Sequence, residues 1–158
     1  MQAREAAPGC WYVQGLSALG SPANQNFISN AGFIVTTKGV VVIDALGSPA
    51  LAERLLADIR TITPQPVTHV ILTHYHADHV YGLQVFAALG ARIIAQKNGR
   101  EYLVSDTARL RLEASRKELA PWIDEQTRLV TATDWIDGRT ELTVGDTRLI
   151  LQPVGPAH

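Results

Sequence analysis

Several features are scarce in this chain of 158 residues. Its one cysteine, Cys10, cannot form an intrachain disulfide, so cysteine content does not distinguish a periplasmic from a cytoplasmic protein. No apolar run approaches the roughly 20 residues that a membrane span needs, so we expect no membrane partner. The net charge is −1 and no basic cluster is longer than Arg116-Lys117, which argues against nucleic-acid binding.

Two common catalytic motifs are also missing. Residues 15–19 (Gly-Leu-Ser-Ala-Leu) lack the second glycine of the Gly-x-Ser-x-Gly nucleophile elbow. The chain has no phosphate-binding Gly-Lys-Ser/Thr loop, and Cys10 has no histidine near it in sequence. These absences argue against serine-nucleophile, P-loop and cysteine-nucleophile chemistry.

Residues 73–79 (Thr-His-Tyr-His-Ala-Asp-His) hold three of the five histidines in the chain. His74 and His76 are two apart, so on an extended chain both rings point to the same side and can bind one ion. Asp78 and His79 are adjacent, and adjacent side chains diverge, which suits a second ion nearby. Imidazole and carboxylate are zinc ligands, so the spacing predicts two metal sites a few ångströms apart. The alternative is a polar surface loop that is rich in histidine by chance.

The flanking residues predict where this cluster lies. Val67–Leu72 is apolar and β-branched, as in a buried strand, and apolar residues after the cluster have helical spacing. The cluster therefore falls between the carboxyl end of a strand and a helix, where open α/β sheets place their sites. Asp78 has an alternative role as the cap of that helix. His69, inside the strand, is predicted to be a hydrogen-bonded structural histidine.

The remaining pattern predicts an α/β fold with a partly parallel sheet. We expect residues 1–10 to be a flexible segment and residues 11–158 to form one domain. Predicted elements are a strand at 11–13, a hairpin of 33–36 with 40–43, a helix begun by Ser48-Pro49 and ended by Pro64, a strand at 91–95, a mostly helical region at 98–125, and a hairpin of 141–144 with 147–153.

Three segments together resemble the metallo-β-lactamase superfamily from about Trp11 onward. Residues 73–79 resemble its histidine-rich signature, residues 39–44 (Gly-Val-Val-Val-Ile-Asp) its strand ending in aspartate, and residues 155–158 (Gly-Pro-Ala-His) its segment with a further histidine. The nearest branch is the zinc metallohydrolases of quinoprotein relay systems. The resemblance implies a metallo-β-lactamase-like αββα sandwich, of which this sequence holds the N-terminal part and lacks the closing part.

The resemblance also implies a ligand set. His74, His76 and His158 would bind the first metal, and Asp78 and His79 the second. The cofactor would be zinc, two ions per complete domain, with iron or manganese as alternatives. The bridging aspartate and last histidine of the family are not in this sequence, so we expect the chain to be incomplete at its C-terminus. The alternative for His158 is an exposed terminal residue.

Asp44 and Asp78 are the predicted catalytic residues. Asp44 would orient a ligand histidine or lie near the metals, and its alternative role is that of a turn residue. The predicted activity is hydrolysis, by a metal-bound hydroxide, of an ester, thioester, lactone or lactam in a small-molecule substrate. Alternatives are an iron-dependent oxidoreductase of the same superfamily and a catalytically inert fragment. Trp122 would pack in the core or touch substrate.

Overall fold

A mixed seven-stranded sheet organises the molecule. The structure is a computed structural model, and it describes residues 1–155. Strands β1 to β4 are antiparallel neighbours, and β4 to β7 are parallel neighbours. The order in the sheet follows the order in the chain: β1 Arg4–Ala7, β2 Cys10–Val13, β3 Ala31–Thr36, β4 Gly39–Ile43, β5 Val67–Ile71, β6 Arg92–Gln96 and β7 Asp134–Ile136.

Five helices connect or follow these strands within the described residues, and a separate hairpin completes the fold. The helices are α1 Pro49–Ile62, α2 Ala77–Val80, α3 Leu83–Ala88, α4 Gly99–Leu103 and α5 Asp106–Glu118. The hairpin consists of β8 Thr140–Val144 and β9 Thr147–Leu151. Between residues 1 and 155 we find no helix with the length and apolar content that crossing a membrane requires.

The main core lies between the sheet and its helices. Val40 and Val42 of β4 are fully buried and belong to one hydrophobic cluster with Leu51 and Leu55 of α1 and Phe86 of α3. Side chains alternate across a strand, so Val41 points to the opposite face, yet it is also fully buried. A strand that is covered on both faces explains the continuous Val-Val-Val-Ile run.

The β8–β9 hairpin is attached to the turn between β3 and β4. The backbone N–H of Thr37 donates to Asp146 Oδ1 at 3.1 Å, and the backbone N–H of Asp146 donates to Thr37 Oγ1 at 3.0 Å. Beyond this attachment, a cleft of about 800 Å³ remains between the sheet and β9. Its apolar lining includes Ile34, Ile43, Ile71, Ile94 and Leu149.

Most predicted elements are confirmed, including both hairpins and the parallel part of the sheet. Ser48 caps α1 as predicted, since its Oγ accepts from the backbone N–H of Leu51 at 3.2 Å. Three features differ. A strand, β1, lies within residues 1–10, where the sequence predicted a flexible segment; the short strand β7 was not predicted; and the helix expected after the histidine cluster is two helices, α2 and α3.

The break between α2 and α3 has a steric cause at Gly82. Its backbone N–H donates to the carbonyl of Leu46 at 3.2 Å, so the two segments touch through their main chains. A Cβ at this position would lie 2.0 Å from the carbonyl oxygen of Ala45. Only glycine allows this approach, and the approach holds α2 beside the residues that follow β4.

Candidate metal centre

The candidate site lies where two parallel strands end side by side. Asp44 directly follows β4, and residues 73–79 follow β5 after Leu72. Ile43 of β4 is in register with Ile71 of β5, and the backbone N–H of Asp44 donates to the carbonyl of Ile71 at 3.0 Å. The sheet therefore places Asp44 beside the histidine cluster, although 29 residues separate it from Thr73.

The three histidine rings of the cluster converge. The ring centroids of His74 and His76 are 4.8 Å apart, and those of His74 and His79 are 4.1 Å apart. One ligating atom each from Asp44, His74 and His79 lie within 4.8 Å of one another. Asp78 Oδ2 lies 3.5 Å from His79 Nε2, so the second predicted carboxylate faces the same group.

Asp78 does not cap α2. The N-cap position belongs to His76, whose backbone is extended, and Asp78 lies in the first turn of the helix. No side-chain cap hydrogen bond is found at this end of α2 within the described residues. The carboxylate of Asp78 is thus directed to the histidine cluster rather than used for capping, and the capping alternative is wrong.

Asp44 accepts three hydrogen bonds from the far side of the cluster. Its Oδ1 accepts from the backbone N–H of Thr73 at 2.8 Å, and its Oδ2 accepts from Thr73 Oγ1 at 2.6 Å and from His79 Nδ1 at 2.7 Å. These partners lie on the neighbouring strand's loop, so the carboxylate links two segments instead of closing a local turn. With Nδ1 of His79 occupied by Asp44, Nε2 is the nitrogen that remains to bind an ion beside Asp78.

The surroundings of His79 favour its charged form. Burial of the ring acts against that charge, but the hydrogen bond to Asp44 and the negative charges of Asp44 and Asp78 outweigh burial, so the pKa of His79 is raised. The balance shows that the site has negative potential. A bound cation would experience the same attraction and would replace the proton.

Backbone contacts fix the position of α2. Ser29 Oγ donates to the carbonyl of Asp78 at 2.5 Å, and the backbone N–H of Ala45 donates to the carbonyl of His79 at 2.9 Å. Ser29 is buried and lies 49 residues from Asp78 in the chain. Neither Ser29 nor Thr73 was assigned a role from sequence, because nothing in the local pattern of either residue reports its distant partner.

His69 lies outside the cluster, as predicted. It belongs to β5, and its Nδ1 is 2.8 Å from the hydroxyl of its neighbour Thr68. Burial lowers the pKa of His69, and the positive charge of Arg92 lowers it further against the opposing effect of Asp134. A histidine that is kept neutral by its surroundings fits the structural role.

The cleft opens directly onto the histidine cluster. Thr73, His74, Tyr75 and His76 line part of it, and apolar residues of the sheet and of β9 line much of the rest, together with a few polar side chains such as Asn98. Tyr75 stacks on Tyr102 of α4 with ring centroids 4.5 Å apart, which fixes one wall. This combination of a large apolar cavity and a few convergent polar groups is typical of small-molecule sites.

Trp122, which was predicted to pack in the core or touch substrate, contacts another loop. The indole Nε1 of Trp122 donates to the carbonyl of Pro22 at 2.8 Å, and Trp122 is absent from the described lining of the cleft. The structure therefore ties Trp122 to the 21–26 loop. His158 lies outside the described residues.

The donor set matches the requirements of zinc. Three imidazoles and a carboxylate are presented from one short loop, and a further carboxylate fixes one ring from behind. Neutral imidazole nitrogen and carboxylate oxygen are common zinc ligands, and zinc-binding histidines usually donate their other ring N–H to a carboxylate or carbonyl. The Asp44–His79 pair has that arrangement.

The fold and this loop define an α/β protein with a candidate metal site at the edge of its sheet, and comparison with known proteins identifies its family. The model of the metallo-β-lactamase superfamily matches residues 25–155, and the chain belongs to this superfamily. A type 2 metallo-β-lactamase from Elizabethkingia meningoseptica is 34% identical over 80 residues, which cover 51% of this chain and 32% of that protein.

Solved structures show the same fold at low sequence identity. A metallo-β-lactamase from Legionella gormanii superposes with a TM-score of 0.67 at 15% identity, covering 94% of this chain and 51% of that one. A sec-alkylsulfatase from a Pseudomonas species gives 0.67 at 19% identity, covering 96% and 27%. The chain thus covers about half of the lactamase from Legionella gormanii. The matches cover 32% of the lactamase from Elizabethkingia meningoseptica and 27% of the Pseudomonas alkylsulfatase. The chain corresponds to the N-terminal part of the fold, as predicted.

Proposed function

We propose that this chain carries the metal-binding loop of a hydrolase that cleaves an ester, thioester, lactone or lactam bond. The proposal depends on one observation, the convergence of the rings of His74, His76 and His79 beside a cleft of about 800 Å³ that His74 and His76 line. The proposed ligands are these histidines with Asp78, and, beyond the described residues, His158. The proposed cofactor is zinc, two ions per complete domain.

Zinc supplies the nucleophile in such a site, because it lowers the pKa of bound water from 15.7 toward about 7. The residues of this chain orient the donors. Asp44 accepts the Nδ1–H of His79 and so directs Nε2 toward Asp78. The preorganisation matters because ligands that are already in place lose little entropy when an ion binds.

The cleft supports a small substrate with an apolar part. Isoleucines of five neighbouring strands, β3 to β7, line it, and Tyr75 lies next to the donors. An apolar group on the sheet would leave the scissile bond at the polar end, beside the histidines. The relatives are named as lactamases and alkylsulfatases, so lactams and sulfate esters belong in a substrate panel together with esters, thioesters and lactones.

The test is a His76→Ala variant. Its imidazole lines the cleft and faces His74, so we expect the variant to lose metal at the first site and all hydrolysis. Elemental analysis after equilibration with zinc measures the first effect, and turnover of the substrate panel measures the second.

His69→Ala is the matched control, because His69 is a half-buried histidine of the same strand-and-loop unit outside the cluster. It should keep the wild-type metal content. Unchanged zinc binding by His76→Ala would refute the proposed site. Iron with redox activity in protein purified without added metal would favour the oxidoreductase alternative, since the same ligands bind iron.

A further inference from the structure

The hydroxyl of Thr73 lies between the buried carboxylate of Asp44 and the ring of His74. In the described hydrogen bonds, Asp44 does not contact His74 directly. Thr73 Oγ1 is 2.6 Å from Asp44 Oδ2 and 2.9 Å from His74 Nδ1. The backbone N–H of Thr73 also donates to Asp44, at 2.8 Å, so the residue is held at two points. A β-branched side chain has few χ1 rotamers, which further fixes the hydroxyl.

The donors and acceptors in this chain of hydrogen bonds assign its protons. An ionised carboxylate only accepts, so the single hydroxyl proton of Thr73 is donated to Asp44. The hydroxyl oxygen then has only lone pairs to offer His74, and Nδ1 of His74 must carry the proton. His79 also donates its Nδ1–H to Asp44, so both rings have the same tautomer.

We propose that Thr73 is a positioning residue that extends the influence of Asp44 to His74. Through the hydroxyl, one carboxylate fixes the tautomer of two histidines and places the proton of each ring on Nδ1. The consequence for zinc depends on the proposed function, whereas the tautomer of His74 is a property of the metal-free chain. The two ideas can therefore fail separately.

The chain offers a matched control for this role. Thr68 and His69 form the same neighbouring pair, with Oγ1 and Nδ1 2.8 Å apart, but the hydroxyl of Thr68 lies 3.5 Å from a backbone carbonyl, that of Val40, and not beside a carboxylate. Thr68→Val removes a hydroxyl from the same kind of pair outside the metal loop. Thr73→Ser keeps the hydroxyl at the proposed position.

The first measurement is the ¹⁵N spectrum of the histidine rings in the metal-free chain, at a pH where the imidazoles are neutral. We expect His74 and His79 to be protonated at Nδ1 in the wild type and in Thr73→Ser. In Thr73→Val, His74 should change to a mixture of tautomers while His79 keeps its Nδ1–H. Thr68→Val should alter the signals of His69 alone.

The second measurement is zinc affinity by competition with a chelator. Loss of a group that orients a metal ligand typically weakens binding by about 10–100-fold, so we expect that loss in Thr73→Val. Thr73→Ser and Thr68→Val should bind like the wild type. If the side chain of Thr73 only filled space, serine, which lacks the methyl group, would not restore the zinc affinity of the wild type.

Two outcomes would overturn the proposal. One is an unchanged His74 tautomer in Thr73→Val, and the other is a zinc affinity in that variant equal to that of the wild type. If the wild type binds no zinc, the proposed function fails, but the ring spectra still decide the role of Thr73. If the valine variant does not fold, Thr73→Ala lacks the same hydroxyl and takes its place.

Discussion

At the scale of single residues, Asp44 combines an unfavourable backbone conformation with three accepted hydrogen bonds in the site. Its φ is 62°, in the left-handed region that residues other than glycine rarely occupy. Such a conformation costs on the order of 1–3 kcal/mol and persists only where the surroundings enforce it. Here three accepted hydrogen bonds and the bond from its own N–H to Ile71 enforce it, and they direct the carboxylate at the histidine loop.

The lowered pKa of His69 predicts a pH dependence of stability. Between that lowered value and the ordinary histidine value of about 6.5, the unfolded chain binds a proton that the folded chain does not. Above this pH window, His69 therefore does not change the free energy of unfolding of the metal-free protein. As the pH falls through the window, His69 lowers that free energy. Urea unfolding at a series of pH values, compared with His69→Gln, measures the contribution.

The comparison isolates His69 because all other groups titrate in both proteins. His79, whose raised pKa has the opposite effect on stability, is common to both and cancels in the difference. The wild type should lose more stability than His69→Gln on acidification. Parallel curves for the two proteins would show that His69 is not held neutral by the fold.

Sequence identified the candidate metal ligands better than the residues that orient them. The spacing of His74, His76, Asp78 and His79 was enough to predict a metal loop, because ligands so close together rarely serve packing. The roles of Thr73 and Ser29 depend on partners 29 and 49 residues away. Hydroxyl residues are common in loops, so no local pattern separates these two from the others.

At the scale of elements, helix α1 begins after Ser48, an N-cap that was predicted from sequence and is buried in the structure. Ser48 is 0% exposed, and its Oγ accepts from the backbone N–H of Leu51. Ser48→Ala removes this acceptor and leaves a buried N–H unpaired, so we expect a loss of about 1–2 kcal/mol in the free energy of unfolding. Urea denaturation with an unchanged m-value is the measurement.

Ser105 at the start of α5 is the matched control. Its Oγ accepts from the backbone N–H of Ala108, three residues on, in the same geometry as Ser48, but Ser105 is only half-buried. The hydrogen bond at Ser105 is only partly buried, whereas the one at Ser48 is buried, so water can replace the lost hydroxyl more readily at Ser105 and Ser105→Ala should cost less than Ser48→Ala. An equal or larger cost at Ser105 would contradict the contribution that we assign to burial.

Element boundaries were predictable where side chains decide them and not where the main chain does. Val80, Leu83 and Phe86 keep helical spacing across the break between α2 and α3, so periodicity predicts one helix. The break follows from the approach of Gly82 to Ala45, a contact between distant backbones. Strand β1 has exposed side chains throughout and joins the sheet by backbone pairing with β2, so it has no apolar alternation to detect.

At the scale of the whole molecule, the sheet brings the site together. The alternation of strands and helices predicted parallel neighbours, and β4, β5, β6 and β7 are adjacent in chain order. Parallel strands end at a common edge, and this is why Asp44 meets a loop that starts 29 residues later. The sequence pattern predicted the elements, and the resemblance predicted that Asp44 orients a ligand histidine or lies near the metals. The contact itself depends on the register of β4 with β5.

Because the site needs this register, zinc binding should be linked to folding. An ion that binds only the folded chain stabilises it by RT ln(1 + [Zn]/Kd), about 2.7 kcal/mol at a free concentration of 100 Kd. We expect the urea midpoint of the wild type to rise with zinc and to return to its metal-free value with a chelator. His76→Ala should show a smaller rise, because it loses the first site.

The size of the increase in the urea midpoint tests whether zinc binding requires the folded sheet or only the sequence of the loop. Residues 74–79 supply all the proposed ligands within the described part of the chain, so a flexible loop with the same sequence could bind zinc without the sheet. In that case zinc would also bind the unfolded chain, and the midpoint would hardly move although the metal is bound. The alternative outcome is a full increase of the urea midpoint in the wild type and a smaller increase in Asp44→Asn. That outcome would show that the carboxylate of Asp44, which the folded sheet places behind His79, contributes to zinc affinity.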